Sequence, residues 1–173
     1  MRLRRVFMEE NVKLNNVSCI VPIKGKRIAS KVIYIDGTSI IIHVRPLTII
    51  TWIAKKNYID IDRVIARSRE LNFQRKGVPI PVSVRDAFLP IHLVDEMDSE
   101  HPCFGYCNAV NQDVDVLPVQ GENRRSKLIL QNGTELLVEL GPIAISSSLS
   151  KTVATHRRFL HELLNITPQN CSL

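Results

Sequence analysis

The chain has 173 residues, 45% of them apolar, and a mean hydropathy of +0.01, the balance of one ordinary globular domain. No run approaches the roughly 20 apolar residues of a membrane span, and the basic start (MRLRRVFMEENVK) lacks the apolar stretch of a secretory signal. Both are excluded, and a soluble, cytoplasmic protein without a membrane partner is expected. The net charge of +6 conceals a division. Residues 1–85 carry 17 Lys+Arg against 6 Asp+Glu, residues 86–123 carry 8 acids and no base, and residues 124–173 carry 6 bases and 3 acids. An excess of that size over half a chain attracts polyanions, whereas the acidic block could serve as a partner surface or as an internal counter-charge. Four cysteines, at 19, 103, 107 and 171, are too few and too unevenly spaced for a disulfide framework, so reduced thiols are expected.

A charged arm over residues 1–16 is expected to lead into a single domain at 17–165, followed by a frayed tail at 166–173. Val17 to Ile23 alternates as a short strand and leads into a basic turn at Lys24–Arg27. Ile28–Ile35 and Thr38–Val44 are β-branched runs joined at Asp36-Gly37, a strong hairpin signal. Pro46 is read as the end of the second strand and Leu47–Ile53 as another, more buried strand. From Ala54 to Asn72 the period changes: Tyr58, Ile61, Ile65, Ser68 and Leu71 fall at helical spacing and the basic residues fall elsewhere, which predicts an amphipathic helix.

The next stretch, Val78–Val110, holds prolines at 79, 81, 90 and 102, each excluding a helix interior. Alternation at Ile80, Val82 and Val84 suggests a strand with one buried face. Cys103–Val110 reads as a strand, and the residues after it, through Glu122, as a loose acidic connector. A second hairpin is expected from Lys127–Gln131 and Thr134–Leu140 around Asn132-Gly133, ended by Gly141-Pro142. Ser146–Ser148 then offer N-caps for a helix with the stripe Leu149, Val153, His156, Leu160, Leu163 and Leu164. No internal repeat is apparent at this level. The expected class is α+β: a mainly antiparallel β domain with a basic amphipathic helix and a packed C-terminal helix.

Signals for catalysis and metal binding are weak. His101, Cys103 and Cys107 provide one isolated C-x3-C with a nearby histidine, short of the paired knuckles of a structural zinc site, so no metal is expected. His156 and His161 are five apart, not the four that place two ligands on one helix face, and read as packing and surface residues. No serine elbow, phosphate loop or dinucleotide glycine pattern is present, and no cofactor is expected. Trp52 and Tyr58 are the only aromatic neighbours assigned to the basic segment, which favours contact with duplex backbone over single-strand stacking.

Several residues in order resemble the bacterial competence transcription factor family (ComK-like). They are Ser30-Lys31-Val32-Ile33, Arg45-Pro46-Leu47, Pro79-Ile80, Phe88-Leu89-Pro90, His101-Pro102-Cys103 and the Asn132-Gly133 hairpin before an arginine-bearing helix. The likeness runs from about Val17 to Leu164. It departs at Ala54, at Tyr58–Arg63 and at Phe104-Gly105-Tyr106. The resemblance implies a non-enzymatic activator of DNA-uptake genes that binds double-stranded DNA as a homodimer or tetramer, through the minor groove of A/T-rich boxes. It also implies a regulatory protease adaptor as a partner, although the short stretch after the terminal helix counts against that. On this reading some of Arg63, Arg67, Arg69 and Arg75 enter the minor groove while Lys55, Lys56 and Lys76 hold flanking phosphates. Two other readings compete: a cysteine-dependent hydrolase using Cys103 or Cys107, and an oligomeric interaction protein working through the acidic block Asp86–Glu122.

Overall fold

The computed structural model describes residues 12–23, 28–94 and 104–165. The expected basic turn at 24–27, the frayed tail, His101, Cys103 and most of the acidic loop before them lie outside those residues. The described chain is α+β, with nine strands in two antiparallel sheets and three helices. The strands are β1 (Val17–Ile23), β2 (Ala29–Tyr34), β3 (Ser39–Ile42), β4 (Ile80–Pro81), β5 (Ala87–His92), β6 (Phe104–Asn108), β7 (Val114–Val119), β8 (Glu122–Leu130) and β9 (Glu135–Val138). The helices are α1 (Pro46–Lys56), α2 (Ile61–Asn72) and α3 (Pro142–Asn165). One sheet has the order β3-β2-β1-β6-β5-β4 and the other β7-β8-β9.

Alternation along the strands divides the core into two layers. Val32, Tyr34, Phe88 and Tyr106 point to one face of the larger sheet, where α1 packs Ile49, Ile50, Trp52 and Ile53. Cys19, Ile33, Leu89, Ile91 and Cys107 point to the other face, against Leu128, Leu130, Leu136 and Val138 of the smaller sheet and Ile145 of α3. Val17 and Ile20 both join the first layer although they are three positions apart, an odd spacing that a pleat forbids. A bulge resolves it: Val17 pairs with Tyr34 and Cys19 with Ile33, which leaves Ser18 as the extra residue. Leu14 is buried in the first layer and the Asn16 carbonyl accepts from Ile35 N–H, so the residues just before β1 are held by the core.

Four expectations need correction. Leu47–Ile53 is not a strand but the body of α1; Pro46 sits in its first turn, where a missing N–H costs nothing, and the apolar run is buried because a helix face rests on the sheet. The amphipathic helix starts at Ile61, not near residue 55, because the chain turns at Asn57–Asp60 and the Asp60 carboxylate caps the new helix by accepting from Asp62 and Arg63 N–H. The acidic connector is ordered as β7 and the start of β8. The final helix begins at Pro142, which places the three serines inside it; Ser148 Oγ donates to the Ala144 carbonyl instead of capping. A smaller difference concerns Val84, which is exposed in a turn while Ile80 and Val82 are buried.

The structure also exposes a repeat. Residues 20–49 and 116–145 align without a gap, and nine of the thirty positions are identical: Pro22, Gly25, Ser30, Lys31, Ile33, Gly37, Thr38, Pro46 and Ile49. Each copy contributes three antiparallel strands and the start of a helix. The hydrogen bonding matches as well. Ser30 Oγ donates to the Val44 carbonyl at 2.6 Å and Ser126 Oγ to the Leu140 carbonyl at 2.6 Å. The Asp36 and Asn132 side chains each accept from the N–H two residues on, at 2.9 Å. In both turns the glycine alone carries the left-handed conformation, with φ of 84° at Gly37 and 83° at Gly133. The two copies stack head to tail: the helix-bearing face of the second lies on the back of the first.

Candidate nucleic-acid interface

All seven basic residues singled out from the sequence are exposed. Lys55 and Lys56 belong to the last turn of α1, where their charge complements the helix dipole. Arg63, Arg67 and Arg69 lie on α2, and Arg75 and Lys76 follow it. The arginines of α2 do not form one row. At 100° per residue, Arg63 and Arg67 share the flank that faces α3, and Arg69 projects about 120° away from Arg63.

Arg67 is engaged elsewhere. Its Nη2 and Nε reach Glu162 Oε1 of α3 at 2.8 and 3.2 Å, and its Nη1 reaches Glu70 at 3.1 Å. These bonds hold the Glu162 carboxyl below its ordinary range, the hydrogen bond from Arg67 being the main cause, and raise the guanidinium further. Asn72 adds a second tie between the helices through Thr155, at 3.1 Å. Lys56 donates to Asn15 Oδ1 at 3.1 Å. Among the described residues no acid lies within ion-pair distance of Arg63, Arg69, Arg75 or Lys76. By contrast, Arg125 pairs with Glu122 and Glu139, and Lys127 pairs with Glu135.

Of the aromatic neighbours assigned from sequence, Tyr58 reaches this surface and Trp52 does not, and Phe73 was missed. Trp52 is buried under the sheet, but Phe73 is 97% exposed and Tyr58 is 98% exposed. The two occupy equivalent places. Tyr58 closes α1 with its N–H on the Lys55 carbonyl and Ile59 N–H on Ala54; Phe73 closes α2 with its N–H on Glu70 and Gln74 N–H on Arg69. This is the Schellman closure, whose left-handed position is usually glycine. Here φ is 57° at Tyr58 and 51° at Phe73, and each follows an asparagine that donates back to the carbonyl four residues earlier, at 2.8 Å. A β-carbon in that region costs of order 1–2 kcal/mol, and neither side chain regains it by burial. The signal was present in sequence as the repeated Asn-aromatic pair at 57–58 and 72–73.

A groove of about 260 Å³ runs between α2 and α3. Val64, Leu71, Phe159 and Leu163 line it, with the Arg67–Glu162 pair beside them.

The competing sites are less developed. Cys107 is fully buried opposite Cys19 across β1 and β6, and burial pushes its thiol well up; the Cys19 thiol is pushed up to about 12 by the same cause. A thiol in that state is a poor nucleophile. The described acids of the central block differ in how they are engaged. Asp86 is held by Ser83 and Asn108 at 2.7 and 2.8 Å, Glu122 pairs with Arg125, and Asp113 and Asp115 remain exposed. Among the described residues no group of three His, Cys, Asp or Glu could hold a metal, and no helix is long and apolar enough to cross a membrane. His156 is buried, its Nε2 donating to the Ser83 carbonyl at 3.0 Å, and His161 is exposed. No protein-family model, curated protein or solved structure matches the chain.

Proposed function

We propose that the protein is a cytoplasmic, DNA-binding transcription regulator, a non-enzymatic activator of the competence type, that reads A/T-rich duplex through the minor groove. The observation that carries this reading is the helix α2, whose Arg63 and Arg69, like Arg75 and Lys76 after it, have no ion pair among the described residues, bracketed by two exposed aromatic residues with left-handed backbone. Minor-groove proteins combine those two ingredients: arginines sense the negative potential of a narrow A/T groove, and apolar wedges lean between base steps. A helix of 12 residues is about 18 Å long, roughly five base steps, so Tyr58 and Phe73 would meet the duplex at separate places. Arg63, Arg69, Arg75 and Lys76 supply charge that no acid among the described residues pairs. Lys55 and Lys56 add positive charge at the end of α1, and Arg67 works as a brace for α2 rather than as a probe.

The test is a salt titration of binding to A/T-rich and G/C-rich duplexes. Affinity is expected to fall linearly on a log-log plot, by about 0.9 in slope for each phosphate neutralised, and to favour the A/T-rich duplex. Weak binding with a flat salt dependence would overturn the reading and favour the interaction-protein alternative.

A further inference from the structure

The repeat shows what the outer edge of β3 is built to receive. In the second copy the corresponding strand, β9, does not end its sheet unpartnered. The tail of β5 crosses to it: Val94 N–H donates to the Leu137 carbonyl and Glu139 N–H donates to the His92 carbonyl, both at 3.0 Å, about the facing pair Leu93 and Val138. In the first copy the equivalent groups are the Ile41 carbonyl and the His43 N–H, and the residue between them is Ile42. β3 pairs with β2 through Ile40 and Ile42, as the hairpin closure from Tyr34 N–H to the Thr38 carbonyl dictates, so the groups of Ile41 and His43 point outward. Among the described residues β3 ends its sheet. Ile41 is 61% exposed there, beside the exposed Ile40.

We propose that this edge pairs with the same edge of a second copy of the chain, by a two-fold axis through Ile42. The register is self-complementary. His43 N–H of each copy donates to the Ile41 carbonyl of the other, which reproduces the pair of bonds that β9 makes with the tail of β5. Ile41 then lies against His43 of the second copy, and its exposed side chain is covered. Charge agrees with the same register. The two-fold axis brings the Arg45 end of one copy, where the next helix starts, toward the Asp36 hairpin tip of the other; both charged side chains are exposed in the single chain. Natural edge strands are kept short or carry lysine, proline or a bulge against unwanted pairing; β3 is short, at four residues, but has none of the other three. Two six-stranded sheets become one sheet of twelve strands. The inference is independent of the DNA-binding reading.

Sedimentation equilibrium of the full chain tests it, without DNA. A dimer of twice 19.6 kDa is expected for the unaltered protein. Ile41→Lys places a charge on the pairing edge, and His43→Pro removes the outward donor while sparing the bonds to β2. Each is expected to yield monomer with an unchanged circular dichroism spectrum. Val84→Lys, which removes an exposed apolar side chain elsewhere, should leave the dimer intact. A monomeric parent chain, or a dimer that survives both edge substitutions, would overturn the proposal. So would equal dissociation by Val84→Lys.

Discussion

Arg67 of α2 and Glu162 of α3, 95 positions apart in the chain, meet with two guanidinium nitrogens on one carboxylate oxygen. The pair is half exposed, so its strength is set by geometry more than by burial, and salt screens it. Its pH dependence has a definite sign. The Glu162 carboxyl sits lower in the folded chain than in the unfolded one, so the stabilisation is complete above the ordinary carboxylate range and is lost as pH falls through the lowered value. Arg67→Gln is therefore expected to lower the melting temperature modestly at neutral pH, and the gap from the parent should close in acid. A gap that stays constant down to low pH would show that the pair contributes nothing.

The same bridge separates two kinds of arginine. Arg69→Glu, Arg75→Glu and Lys76→Glu together are expected to weaken DNA retention sharply and to reduce the salt slope by about 0.9 for each phosphate that is no longer neutralised. Arg67→Gln should leave that slope near the parent value. If Arg67→Gln reduces the slope as much as a reversal at Arg69, then Arg67 touches the DNA after all.

Much of the fold was legible because turns speak locally. Asp36-Gly37 and Asn132-Gly133 announce their hairpins through the one residue type that tolerates φ near 84°, and both hairpins are present. The misreadings cluster where a proline follows a hairpin. Pro46 and Pro142 both read as stops, yet each opens a helix, because proline at a helix start and proline after a strand look the same in one dimension. Aligning the two copies would have shown that the positions correspond. The repeat itself hid behind swaps such as Ile40 for Leu136 and Ile42 for Val138, which preserve apolar character and erase identity. At the candidate interface, exposure of the basic residues could be read from periodicity, but Arg67's partner could not, since only the packing of α3 across the sheet edge brings Glu162 there.

Phe73 is a second place to separate structure from function. Phe73→Gly is expected to raise stability in urea by about 1 kcal/mol, because glycine relieves the left-handed backbone and little buried surface is lost. Under the DNA-binding reading the same change should lower affinity for A/T-rich duplex several-fold. A more stable variant that binds equally well would leave Phe73 without a role in the interface.

The groove can be checked on the DNA side. Inosine·cytosine pairs present a minor groove like that of A·T and a major groove like that of G·C. Substituting them for the A·T pairs of a bound duplex is expected to preserve most of the affinity, whereas G·C pairs should abolish it. Loss of binding to the inosine duplex would place the recognition in the major groove.

The residues between the two repeat copies carry β4, β5 and β6, and they enter the larger sheet through β6 beside β1, where Cys19 meets Cys107. The centre of that sheet thus joins segments almost ninety residues apart, while each repeat hairpin closes over a loop of three. Closing the long loop forfeits far more chain entropy than closing either short one. The hairpins are free to form within microseconds, and the seam between β1 and β6 has to wait for them. A polypeptide emerging from the ribosome would hold its first hairpin early and carry β1 without its second neighbour until β6 had been synthesised.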